Sequence, residues 1–191
     1  MKLHFGPRER KEVPLKKVSV LDVLVHPGYI KDTKTGLLAR EQLEQAEKLP
    51  EEYEKLAGNL REDEFLLIII HQPPEKYLAD ARIKKGYTEL IKTVRERVKN
   101  RNQVIILTGK TIPFSGADKD YDNLALEKIR LLAKTRGYDI NQETSVNIFG
   151  EMHDECVQEA LSGIKNADFF DSNKINISRD LTDRGSQKPP N

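Results

Sequence analysis

Four short apolar runs recur along the chain, and each one is followed by a turn or a polar segment. The runs occupy residues 18–25, 65–70, 103–107 and 146–149. Their β-branched and apolar composition predicts four β-strands. The run at residues 65–70 has no polar alternation. This pattern is typical of a strand that is buried on both faces, at the centre of a parallel sheet with helices on each side.

Segments whose apolar residues recur at helical spacing separate these strands. The helix that ends near Gly137 is expected to place Leu124, Ile129, Leu132 and Ala133 towards the core. Two other helices are predicted over residues 37–57, where Pro50 marks a kink or a break into two helices, and over residues 87–98. A last helix is predicted to begin at an Asp154 N-cap and to bury Val157, Ala160, Leu161 and Ile164.

The alternation of strands and helices predicts an α/β protein, a three-layer α/β/α sandwich with a mainly parallel, Rossmann-like sheet. Residues 168–170 and 174–177 are weaker strand predictions. We expect one domain over residues 1–183, with a basic arm at residues 1–17 and a disordered tail at residues 184–191.

Composition narrows the class of protein further. The chain has 191 residues with 32 Lys and Arg against 31 Asp and Glu, so no global charge indicates a nucleic acid or an anionic membrane as partner. A single Cys and a polar start to the chain predict a cytoplasmic protein. The longest apolar run is too short to span a bilayer. We expect a small-molecule substrate, with a homo-oligomer left open.

Polar residues follow the predicted strands, at the edge where parallel sheets bind their ligands. His26 and His71 come after the first two strands, and Thr108 and Lys110 follow the third. Glu151 and His153 follow the fourth strand. We therefore predict His26, His71, Thr108, Glu151 and His153 as substrate-binding residues.

Cys156 falls in the first turn of the last predicted helix. The unpaired N–H groups and the dipole at a helix N-terminus favour negative charge, so a thiol there can have a lowered pKa and act as a nucleophile. The alternative is a small buried thiol that only packs, since Cys156 adjoins the apolar Val157.

The segment Gly150-Glu-Met-His-Asp-Glu-Cys-Val157 resembles the isochorismatase-like cysteine hydrolases, whose strand-Gly, five residues, Cys-Val segment often has an acidic residue two places before the Cys. Asp154 fills that place. The resemblance covers about the last helix-strand-helix unit, from residue 132 onwards. It implies a catalytic Asp, Lys and Cys that hydrolyse a small amide or a related C–N substrate.

Carried onto this chain, the resemblance makes Cys156 the nucleophile, Lys110 the residue that supports the developing charge and Asp22 the base. In the family the Asp ends the first strand, whereas Asp22 lies inside an apolar run. The alternatives for Asp22 are a buried carboxylate that is satisfied by a neighbouring loop and a position at the entry to a strand.

Two other functions use the same edge of the sheet. His26, His71, Glu151 and His153 are ligand types that suit a divalent metal such as Zn²⁺, which would activate water for hydrolysis. The cysteine mechanism needs no cofactor. A non-catalytic module that binds a ligand or another protein is the third possibility.

Overall fold

A computed structural model describes residues 14–25, 57–71, 102–109, 113–150 and 157–177, together with positions 88, 92, 95 and 96. In chain order its elements are β1 (Lys16–Lys17), β2 (Val20–Val25), β3 (Glu64–His71), β4 (Val104–Gly109), α1 (Lys119–Thr135), β5 (Tyr138–Asp139), β6 (Ser145–Gly150), α2 (Gln158–Asn166), a 3₁₀ helix (Ser172–Lys174) and β7 (Ile175–Ile177).

Within the described residues, the central sheet has five strands in the order β4-β3-β2-β6-β7. All four pairings are parallel. Counted along the chain, this is the order 3-2-1-4-5 of Rossmann sheets, in which the direction of strand addition reverses between the first and the fourth strand. The predicted α/β class and the four predicted main strands are confirmed, and β7 confirms the weaker prediction at residues 174–177.

Both faces of the sheet are buried. Leu21, Val23 and Val25 point to one face and belong to a hydrophobic cluster with Ile129 of α1 and Ala160 of α2. Side chains alternate along a strand, so the even-numbered residues of β2 lie on the opposite face. That face is also buried, at Leu24, Leu66, Ile68, Ile70 and Phe149.

The three-layer arrangement stays a prediction, because the helices predicted over residues 37–57 and 87–98 lie almost entirely outside the described residues. Ala57 is helical and buried, whereas residues 37–56 are outside the described ranges. Helical backbone at Thr88, Lys92, Arg95 and Glu96 agrees with the helix predicted over residues 87–98. No helix in the described part of the chain is both long enough and apolar enough to cross a membrane.

A two-stranded parallel extension lies next to the sheet. Lys16 and Lys17, the end of the predicted basic arm, form β1 and pair with Tyr138 and Asp139 of β5. These strands are too short for a hydrophobic pattern to predict. Residues 1–13 and the predicted tail at residues 184–191 lie outside the described residues.

The predicted inner face of α1 is wrong in part. Ile129 and Ala133 are buried as expected, but Leu124 is 49% exposed and Leu132 is 39% exposed. Asp122 and Leu126 are the other buried residues of α1. Positions 122, 126, 129 and 133 recur at spacings of three and four, so they form one helical stripe that excludes Leu124 and Leu132.

Residues 168–170 form no strand, in contrast to the sequence prediction. The chain turns there, and Asp168 has a positive φ of 52°. Phe170 is nevertheless buried, and its ring packs edge-on against Phe169 at a centroid distance of 4.9 Å. The apolar pair therefore closes the core after α2 instead of extending the sheet.

Candidate functional site

The carboxyl ends of the strands form one edge of the sheet, and their register can be followed across it. Leu107 pairs with Ile69, Ile69 with Val25, and Val25 with Gly150. The ends of β2 and β6 are therefore neighbours at the point where the strand order reverses. In open α/β sheets ligands bind in the crevice beside this point.

Gly150 ends β6 in a conformation that only glycine adopts readily. Its φ is 152°, and a Cβ built on it would lie 2.0 Å from the carbonyl oxygen of Val25. Any side chain at this position would push β2 and β6 apart. The close approach of the two backbones therefore requires a glycine at the end of β6.

Asp22 is the third residue of β2 and is only 1% exposed. Its Oδ1 accepts a hydrogen bond of 3.1 Å from Nδ2 of Asn147 on β6. The two residues are also paired in the strand register. Asp22 therefore has a partner on a neighbouring strand, whereas the sequence suggested either a base or a carboxylate held by a loop.

The alternation of side chains along β2 determines the face of the sheet on which Asp22 lies. Leu21 and Val23 pack in the cluster that contains Val157 and Ala160, so Asp22 lies on the other face of the sheet from α2. Three residues of strand, about 10 Å, separate Asp22 from the end of β2. A contact between Asp22 and the segment before α2 would have to pass around the strand end.

The start of α2 is held by close packing. Val157 is buried and has helical angles of φ −68° and ψ −40°, and the α-helix proper follows from Gln158. A Cβ on Gly163 would lie 2.4 Å from Cβ of Phe114, so the helix contacts the segment before α1 directly. This contact holds α2 against the segment that precedes α1.

A buried carboxylate stabilises the same contact. Asp122 on α1 accepts hydrogen bonds from the backbone N–H groups of Ser115, at 2.6 Å, and Gly116, at 3.1 Å. It also accepts one from Nδ2 of Asn166 on α2, at 2.9 Å. Asp122 was not predicted as a polar core residue, because its partners are scattered along the sequence. It joins α1, α2 and the loop that precedes α1.

Of the residues predicted to bind substrate, Thr108 is the one whose side chain lies within the described residues, and it lines a cavity. It is exposed near the end of β4 and lines a space of about 290 Å³ between β3, β4 and α1. Tyr121, Leu124 and Lys128 line the side that α1 forms. The spacing of Leu124, Lys128 and Leu132 along one helix face is a signal in the sequence that could have identified this wall.

The side chains of the other predicted site residues, apart from Asp22, lie outside the described residues. His71 ends β3 and pairs with Gly109, while its side chain is outside the described residues. The remaining ones, His26, Lys110, Glu151, His153 and Cys156, lie outside the described residues altogether, as does Asp154. The Asp, Lys and Cys arrangement and the metal alternative therefore stay predictions.

A polar groove occupies the opposite, amino-terminal edge of the sheet. It has a volume of about 1070 Å³, and Ser19, Asp63, Arg130 and Lys174 are among its lining residues. The Arg130 guanidinium lies 4.0 Å from the ring centroid of Phe169. The described residues that line this groove include none of the predicted site residues. Its acidic and basic groups are largely engaged in contacts such as the 2.9 Å ion pair between Lys174 and Glu143.

Among the described residues, no group of three His, Cys, Asp or Glu side chains is placed to hold a metal ion. Comparisons with protein-family models, with curated proteins and with solved structures give no match to this chain.

Proposed function

We propose that this protein is a cysteine-dependent hydrolase of small amides or related C–N compounds, with Cys156 as its nucleophile. The observation that supports the proposal most is the pairing of Val25 with Gly150 at the reversal of strand order. The chain leaves β6 there and is back in the core at Val157. Residues 151–156, including Cys156, thus connect the edge where such sheets bind ligands to the start of a helix.

The start of α2 supplies the electrostatic part of the proposal. Cys156 is bonded directly to Val157, whose backbone is already helical. The first N–H groups of a helix lack intrahelical partners, so they favour a thiolate and can also hold an oxyanion. Lowering the pKa of a thiol in this way increases the fraction that is nucleophilic at neutral pH.

The reaction proceeds in two steps. The Cys156 thiolate adds to the carbonyl carbon, the C–N bond breaks, and the amine leaves with a proton. Water then attacks the thioester, which releases the carboxylic acid and restores the thiol. The resemblance assigns the proton transfer to Asp22 and the support of the developing charge to Lys110. Asp22 lies on the face of the sheet opposite α2, so its role is a separate part of the proposal with a test of its own. A reduced thiol also fits the expected cytoplasmic location.

Turnover of a panel of primary amides and N-carbamoyl compounds, followed by ammonia release, tests the proposal. Cys156→Ala and Cys156→Ser should abolish turnover without loss of fold. Gln158→Ala is the matched control, because it changes an exposed residue in the same helix turn. Turnover that survives Cys156→Ala and is lost with a chelator would contradict the cysteine mechanism and support a metal held by the His residues.

The role of Asp22 is tested separately with Asp22→Asn. A base of this kind contributes about 100-fold or more to the rate, so the variant should lose turnover and the acid limb of its pH profile while it remains folded. Lower stability with full turnover per folded molecule would restrict Asp22 to the structural pairing with Asn147.

A further inference from the structure

The cavity beside Thr108 has walls that are mainly apolar. Ile69 and Leu107 come from the ends of β3 and β4, and Leu124 and Leu132 come from α1. The two α1 leucines are excluded from the core stripe of their helix and are left substantially exposed. Water forms few hydrogen bonds with such walls. An apolar group that fills the space would therefore be stabilised by the apolar surface that is removed from water.

The volume sets the size of that group. An engineered apolar cavity of about 150 Å³ is large enough to bind benzene. The space beside Thr108 is about 290 Å³, which suits two fused rings or an alkyl chain of similar bulk. It lies at the carboxyl-terminal edge of the sheet, between Gly109 and α1, where ligands of α/β proteins commonly bind.

Among the described residues that line the cavity, Lys128 is the one with a positive charge. Lys128 lines the cavity and is exposed. It forms no ion pair with any carboxylate in the described part of the chain. Thr108 and Tyr121 add hydroxyl groups to the lining. An unpaired ammonium group beside an apolar space favours a ligand with an apolar body and a negative charge at one end.

We propose that this cavity binds a small aromatic or alkyl carboxylate, with its apolar body against Leu107 and Leu124 and its carboxylate beside Lys128. The site does not depend on the chemistry of Cys156. Its ligand is held by apolar contact and by one charge, so the neutral analogue of the same shape binds less well. Because the pair with Lys128 is exposed, binding also weakens as salt is added.

The experiment uses the full chain and 2-naphthoate as the probe, with 2-naphthamide as its neutral isostere. At the ligand efficiency usual for small molecules, the dissociation constant for the acid should be about 1 mM or lower. Titration is followed by NMR of isotope-labelled methyl groups. Saturable shifts and intermolecular contacts at the methyl groups of Ile69, Leu107 and Leu124 are expected, and Cys156→Ala should bind the acid as wild type does.

Two charge variants separate this site from general attraction to a cationic surface. Lys128→Met removes the exposed charge at the cavity and should raise the dissociation constant about two- to fivefold, the range for an exposed ion pair. Lys165→Met removes an exposed lysine of α2, away from the cavity, and should leave binding unchanged. Ala125→Phe should fill the space and prevent binding, with thermal unfolding as the check that it folds.

The proposal is overturned by any of three results. These are no saturable binding at several millimolar acid, equal affinity for 2-naphthoate and 2-naphthamide, or equal effects of Lys128→Met and Lys165→Met. Because both lysines are exposed, neither variant should be lost through misfolding, and the charge comparison decides the question even if Ala125→Phe does not fold.

Discussion

Asn147 donates a hydrogen bond to Asp22 across the pairing of β2 and β6, with 3.1 Å between Nδ2 and Oδ1. This contact joins the two strands between which the sheet reverses its order. This hydrogen bond favours one register of the two strands, since a slip of one residue would break it.

Loss of the amide at position 147 should therefore destabilise the protein. We expect Asn147→Ala to lower the free energy of unfolding by about 1–3 kcal/mol, because a buried carboxylate loses one of its donors. Asn176 is the matched control, since it lies in the same row on β7. Its replacement by Ala should cost about 0.5 kcal/mol or less. Equal effects in urea unfolding would mean that the Asp22 pair does not stabilise the sheet.

Gly163 provides a test of the packing that positions α2. An added methyl group would lie 2.4 Å from Cβ of Phe114 and 3.1 Å from Oδ1 of Asp122. Overpacking costs about 1–3 kcal/mol, and an approach of 2.4 Å forces the neighbouring atoms to shift. We expect this cost to be larger than the gain of about 1 kcal/mol in helix propensity. We expect Gly163→Ala to unfold at a lower temperature than the wild type.

Gly58 is the control for that substitution. It is helical and exposed, and nothing lies within 4 Å of an added Cβ. Gly58→Ala should be neutral or stabilising by about 0.4–1 kcal/mol. If both variants are equally stable, the contact between α2 and Phe114 is looser than the structure shows.

Ser19 gives the stability a predictable dependence on pH. The hydrogen bond that its hydroxyl donates to Asp63 lowers the pKa of that carboxyl below its ordinary value of 3.8, with a smaller effect from Arg61 in the same direction. The ionised form is thus favoured in the folded protein. The contribution is present in full above the ordinary pKa and is lost as the pH falls through the lower, folded-state value.

Urea unfolding of Ser19→Ala between pH 7 and pH 2.5 checks this sign. The variant should be less stable than the wild type at neutral pH, and the difference should shrink below about pH 4, where the carboxyl of the unfolded chain takes up its proton. Ser172→Ala, at another exposed serine, should show no such trend. A difference that grows in acid would contradict the assigned direction.

The strands of the central sheet were predictable because each buried strand is a short run of consecutive apolar residues in the sequence. The run at residues 65–70 has no polar position, and in the structure it is buried on both faces. The two-residue strands β1 and β5 could not be predicted, because Lys16 and Lys17 are exposed and show no hydrophobic pattern. Backbone pairing with β5 and an ion pair between Lys16 and Glu62 hold them in place.

Long-range polar partners and the fine position of helix faces were less accessible from the sequence. Asn147 is 125 residues away from Asp22, so no local pattern links them. The apolar content of α1 identified the helix, but Leu124 and Leu132 were assigned to the core when they face a cavity. Periodicity identifies which residues share a face, and only the packing of neighbouring elements decides which face is buried.

The rate of iodoacetamide modification of Cys156 in the native protein, measured as a function of pH, tests the central claim most directly and needs no substrate. An activated nucleophile should be modified rapidly, with a midpoint well below the ordinary thiol pKa of about 8.5. Slow modification at every pH, which becomes fast only in denaturant, would show a buried core thiol and contradict the proposed hydrolase.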